Sequence, residues 1–167
     1  MKPRVLPGDQ ARASVLVAAT PEEAFRVFTE EINLWWRAGV RYRSGGAGRS
    51  VLHLEARDGG RLFESFDVEG ETRVMETGRI LVCDPPRLLV IEWRASNFSS
   101  EEKTEVEVSF EAKPGGTFVT VCHRGWAAIR PDHPVRHRQD VAAFVRMMGL
   151  WWGDLLTSLR LRVGEGR

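Results

Sequence analysis

The segment QDVAAFVRMMGLWWGDLLTSLRLR, residues 139–162, decides how this chain folds. Val141, Phe144, Val145, Met148, Trp151, Trp152, Leu155, Leu156 and Leu159 recur at three- and four-residue intervals, so they form one unbroken apolar stripe on a helix. Arg146, Asp154, Ser158, Arg160 and Arg162 fall largely outside that stripe. At 1.5 Å per residue the helix is roughly 36 Å long. So much apolar surface has to be buried against something of similar extent.

The chain ahead of it supplies strands. Residues 51–57 and 61–66 flank Asp58-Gly59-Gly60, a strong hairpin signal. Residues 72–83 form the next strand, ended by Asp84-Pro85-Pro86, which cannot continue a ladder. Residues 87–95 are dense in Leu, Val, Ile and Trp. Residues 105–112 alternate strictly, with Val106, Val108 and Phe110 on one face and Glu105, Glu107 and Glu111 on the other. Lys113-Pro114-Gly115-Gly116 turns this strand into one over 118–123. Short turns make these strands antiparallel neighbours.

An earlier strand, 11–19, leads into a clear helix start. Thr20 caps, Pro21 takes the first helical position, and Glu22 and Glu23 complement the dipole, with Glu23 at the capping-box spacing. Ala24, Phe25, Val27 and Phe28 form the buried stripe. A second short helix over 31–37 carries Ile32, Trp35 and Trp36. The predicted fold is α+β: a curved antiparallel sheet of about seven strands wrapped around the long C-terminal helix. A straight rod and a curved sheet do not match everywhere, and the two early helices with their Trp pair are placed to stopper the gap. Residues 1–10 read as a loose arm, 39–50 as a Gly-, Ser- and Arg-rich loop, and 11–167 as one domain.

Composition narrows the function. The chain has 167 residues, 43% apolar and 28% charged, as in ordinary globular domains. Its 24 basic and 23 acidic residues leave a net charge of +1, which removes the electrostatic reason to expect nucleic acid or an anionic membrane. No apolar run approaches the roughly 20 residues of a membrane span. Residues 1–10 hold no apolar signal core, and Cys83 and Cys122 read as small buried hydrophobes, so a reducing cytoplasm is the expected location. Six Trp against one Tyr is the unusual number: each indole needs apolar surroundings and, when buried, a partner for its N–H.

Several local patterns resemble a known family. They are VAATPEEAF at 17–25, INLWW at 32–36, GRILVCDPPRL at 78–88, Glu92-Trp93, VCHRGW at 121–126 and GLWWGDLL at 149–156. In this order and spacing, spread over about residues 11–162, they resemble the START-like, Bet v 1-like helix-grip superfamily (SRPBCC). Within it they are most similar to the family related to the C-terminal domain of the activator of Hsp90 ATPase. The resemblance implies the helix-grip fold. It does not imply one reaction, because relatives include binders of lipids, sterols, hormones or polyketides, ring-cyclising enzymes and co-chaperones.

The expected site is the space between the long helix and the sheet, lined by Phe25, Phe28, Trp35, Trp36, Leu62, Glu64, Phe66, Trp93, His123, Trp126, Phe144, Met148, Trp151 and Trp152. These aromatic groups either line a cavity or simply fill it. Glu64 shares parity with Leu62 and Phe66; it is read as paired with an Arg such as Arg79, as turned outward with Phe63 and Ser65 inward instead, or as a ligand or acid–base group. His123 shares parity with Val119 and Val121 and is either a satisfied structural histidine or a group that meets ligand. His53 and Glu92 are expected on the outer face. His133 and His137 are four apart, but Pro134 argues against a helical metal site, and Gly45-Gly46-Ala47-Gly48 lacks the flanking strand and capped helix of a phosphate loop.

The leading expectation is non-catalytic binding of a small hydrophobic or aromatic molecule, with no cofactor, metal or catalytic residue assigned. A co-chaperone acting through the basic Arg37, Arg41, Arg43, Arg49 loop, and a cyclase or dehydratase using Glu64 or His123, are the alternatives. Among partners, nucleic acid and a membrane span are excluded, Hsp90 is disfavoured, and homodimerisation is left open.

Overall fold

The computed structural model describes residues 10–38, 42–43, 50–94, 101–126, 129, 132–133 and 140–165. The elements are β1 (Gln10–Val17), α1 (Pro21–Glu30), α2 (Ile32–Trp35), β2 (Ser50–Leu54), β3 (Arg61–Val68), β4 (Glu71–Asp84), β5 (Leu88–Trp93), β6 (Thr104–Lys113), β7 (Gly116–Arg124) and α3 (Val141–Glu165). The strands form one antiparallel sheet in the order β1-β7-β6-β5-β4-β3-β2. The expected 1–10 arm, most of the 39–50 loop and most of 126–138 lie outside the described residues; Gln10 already pairs with Arg124 in the sheet.

The helix starts follow from local chemistry. The Glu23 N–H donates to Thr20 Oγ1 at 3.2 Å, as a cap requires. The Glu23 carboxylate turns to Arg26, at 2.6 Å, so the side-chain half of the capping box serves an ion pair. Asp140 opens α3 by accepting the Ala143 N–H at 2.8 Å. α2 is a single turn of four residues, shorter than expected, and Trp36 follows it in extended backbone.

Two irregularities bend the sheet. The register shifts between Leu62 and Phe63 on β3, and between Ile80 and Val82 on β4. Between them sits Gly78, where a Cβ would lie 2.5 Å from the Glu92 carbonyl oxygen, so no larger residue fits. The concave face carries Leu62, Ile80, Leu89, Ile91, Val106, Val108, Val119 and Val121, all buried. α3 supplies Phe144, Trp152, Leu155, Leu156, Leu159 and Val163. Close backbone approach of α3 to the sheet is concentrated on β1, so over the middle strands the distance is spanned by large side chains.

Candidate functional site

Two aromatic groups fill the space under α3. In the first, Phe28 of α1 packs on Trp35 at 4.9 Å and edge-on to Phe110 of β6 at 5.7 Å, and Phe25 meets Phe110 at 5.1 Å. The Trp35 indole N–H is shared between the carbonyls of Val27 and Phe28, both at 3.2 Å. This group is closed: all four rings are buried and the one indole N–H is satisfied within α1.

The second group joins α2, β5, β7 and α3. Trp36 stacks on Trp93 at 6.1 Å and 25°, and Trp152 stands edge-on to Trp36 at 5.6 Å and to Trp93 at 6.0 Å. These separations are direct ring contact, leaving no room for a guest between the indoles. Beyond them His123 lies 4.5 Å from Trp126, which packs edge-on to Phe144 at 4.7 Å.

His123 is fully buried and both ring nitrogens are engaged. The Trp152 indole N–H donates to Nδ1 at 3.2 Å, so Nδ1 must be the acceptor and Nε2 must carry the proton. Nε2–H then donates to Thr104 Oγ1 at 2.7 Å, leaving the Thr104 hydroxyl to donate to the Trp93 carbonyl at 3.3 Å. Burial pushes the His123 pKa down to about 3, so the ring is neutral at physiological pH. Of the two expected readings of His123, this geometry is that of the satisfied histidine, which ties β5, β6, β7 and α3 together. Thr104, in no candidate set from the sequence, is the middle of that chain.

Glu64 faces inward beside Leu62, and only 2% of it is exposed. Its expected pairing with Arg79 does not occur. Arg79 lies opposite Arg61 on the outer face and pairs with Glu76, whereas Glu64 lies opposite Met75. The cation that faces Glu64 is Arg43: burial holds the Arg43 pKa down while Glu64 draws it up. All five Arg43 N–H groups have carbonyl or amide acceptors. Nε donates to Arg37 O (3.3 Å), Nη1 to Asn33 Oδ1 (2.8 Å) and Ser50 O (3.0 Å), and Nη2 to Asn33 O (3.0 Å) and Trp36 O (2.9 Å). Arg43, half-buried, is thus committed to bonds within the fold; Arg41 and Arg49 lie outside the described residues.

The remaining candidates divide by exposure. Phe25, Phe28, Trp35, Trp36, Leu62, Trp126, Phe144 and Trp152 are buried and packed on one another, whereas Phe66, Trp93, Met148 and Trp151 are only partly covered. Tyr42 and Leu54 join the partly covered set against the core. His53 is outward as expected, stacked on Phe63 at 4.7 Å with Nε2 2.9 Å from Ser65 Oγ, and Glu92 pairs with Arg94 at 3.0 Å. Cys122 is buried, but Cys83 is only half-buried. His133 sits 4.0 Å from Glu102, and His137 lies outside the described residues. Among the described residues, one cleft of about 440 Å³ lies between Phe25 and Thr29 of α1 and Pro85-Pro86, and another of about 330 Å³ between Trp35-Trp36 and Ser158 and Leu161 of α3. Both open outside the helix–sheet space.

A curved sheet gripping a terminal helix defines a helix-grip α+β protein. The chain matches the family described as activator of Hsp90 ATPase homolog 1-like protein over residues 18–159, and belongs to that family. Solved structures share the fold. A Nitrosomonas europaea protein is 15% identical with a TM-score of 0.66, covering 98% of this chain and 99% of its own. A Rhodobacter sphaeroides protein is 19% identical with a TM-score of 0.63, at 98% and 99% coverage. CalU16 from Micromonospora echinospora is 20% identical with a TM-score of 0.54, at 96% and 79% coverage. No curated protein matches the chain. Among the described residues no helix is long and apolar enough to cross a membrane.

Proposed function

We propose that the chain is a single-domain, non-catalytic binding module for a small hydrophobic or aromatic molecule, held where the aromatic packing beneath α3 is incompletely covered, at Trp93. One observation carries the reading. Trp93 and Met148 are large and apolar and pack against a buried core, yet each keeps part of its surface uncovered. Uncovered apolar surface of this kind favours a guest, because each Å² removed from water contributes about 25 cal/mol. The buried indoles behind Trp93 act as a rigid floor. A reaction is not part of the proposal, since neutral His123 has no free nitrogen to offer. The free cysteines fit a reducing compartment such as the cytoplasm.

Titration with the neutral fluorophore N-phenyl-1-naphthylamine, read by energy transfer from Trp, tests this. Saturable 1:1 binding that Trp93→Ala abolishes is expected. A linear, unsaturable signal from the folded protein overturns the proposal.

A further inference from the structure

We propose that Arg43 is the positioning residue of this site, holding Trp36 against Trp93 so that the indole wall exists before ligand arrives. The inference rests on the binding reading above and adds to it the residue that sets the wall.

The argument starts from what holds Trp36. It caps α2: its N–H donates to the Ile32 carbonyl at 2.9 Å, but its ψ is extended, so the ladder ends there and leaves its carbonyl and indole to be held from outside the helix. Its indole N–H donates to the Tyr42 carbonyl at 2.9 Å, and its own carbonyl accepts from Arg43 Nη2 at 2.9 Å. The Tyr42-Arg43 dipeptide thus grips Trp36 at both polar ends. Arg43 is in turn fixed by Asn33 on α2 and Ser50 on β2, and the same Asn33 Oδ1 accepts the Leu52 N–H at 2.9 Å. Leu52 lies opposite Glu64 of β3, whose carboxylate faces the guanidinium. One planar cation therefore links the end of α2, the edge of β2 and the indole that stacks on Trp93. Lysine cannot reproduce this: its ammonium has three N–H groups at one point, against the five that Arg43 spreads over Asn33, Trp36, Arg37 and Ser50. Preorganising a binding surface raises affinity by removing the ordering cost at the moment of binding.

The experiment compares wild type, Arg43→Lys and Thr20→Ala. Two readouts are taken: the near-ultraviolet circular dichroism couplet of the Trp36–Trp93 stack, and the Kd for N-phenyl-1-naphthylamine in the folded protein. Arg43→Lys keeps a cation facing Glu64 and so serves as the variant that folds. We expect it to collapse the couplet and weaken the probe about tenfold, as lost preorganisation does. Thr20→Ala removes the cap of α1, touches neither Trp36 nor Arg43, and should leave both readouts as in wild type. An unchanged Kd in Arg43→Lys, with or without lower stability, overturns the proposal, because a merely structural arginine changes stability alone. If wild type takes up no probe, the binding reading fails separately. The couplet then decides for Arg43: its loss sustains Arg43 as the residue that positions Trp36, and its persistence refutes that.

Discussion

Two aromatic groups share the space beneath α3, and they behave as different materials. The group around Phe28, Trp35 and Phe110 is carbon against carbon, with its one indole N–H consumed by α1 itself. The group around Trp36, Trp93 and Trp152 is threaded by polar bonds through His123, Thr104, Tyr42 and Arg43. The first is held by shape, so it tolerates no gap. The second is held by directed hydrogen bonds, so one of its rings can stay partly bare without the others moving. Residue type does not separate them. Trp35 and Trp36 are in ring contact at 5.4 Å, yet the Trp35 N–H bonds back into α1 whereas the Trp36 N–H bonds to the Tyr42 carbonyl.

The sharpest break of this contrast is Phe28→Ala. Phe28 is 1% exposed and packed between two rings, so the variant should lose about 3–5 kcal/mol in urea unfolding. Trp93→Ala, although it removes a larger side chain, should cost roughly 1–2 kcal/mol because the site is already partly open. Equal losses would erase the distinction.

Acid should act on the second group alone. The folded His123 pKa is depressed from 6.5 to about 3, so its contribution is whole above pH 6.5 and falls as pH drops, because the unfolded chain takes up the proton first. From about pH 6.5 to 4.5 the loss is roughly 2–3 kcal/mol, at about 1.4 kcal/mol per unit. His123→Phe should flatten this slope whatever it does to stability at neutral pH. A wild-type unfolding free energy that stays level over that range contradicts the buried neutral ring.

Thr104→Val should be milder. It deprives Nε2–H of His123 of its acceptor, for about 1–3 kcal/mol, and should perturb Trp93 emission while leaving Trp35 unaffected. Smallest is Thr20→Ala, far from both groups. Loss of the α1 cap should cost about 1 kcal/mol with no change in probe affinity.

The first group was readable from sequence, because a helix stripe and alternating strands report directly on what is buried: Phe25, Phe28 and Phe110 all lie on predicted inner faces. α3 was readable for the same reason, to within a few residues. The polar threads of the second group were not. Arg43 and Tyr42 sit in a Gly- and Arg-rich segment without period, and nothing in their neighbours says that one of four arginines turns inward. Thr104 fell just outside the strand predicted over 105–112, with no pattern to mark it. Arg79 was assigned to Glu64 because it lies on the adjacent strand, but the register shift at Leu62/Phe63 sets Glu64 opposite Met75 and leaves Arg79 on the outer face. Such pairings depend on register, and register is set by bulges that no local pattern announces.

The side chains that meet β2 also answer a question of solubility. β2 is a terminal strand of an open sheet, and an open edge offers unpaired amides and carbonyls to any passing strand. Here Asn33 occupies the Leu52 amide and Arg43 occupies the Ser50 carbonyl, so the ladder ends on side chains instead of inviting a neighbour. Aggregation through this rim would first have to evict an asparagine and an arginine.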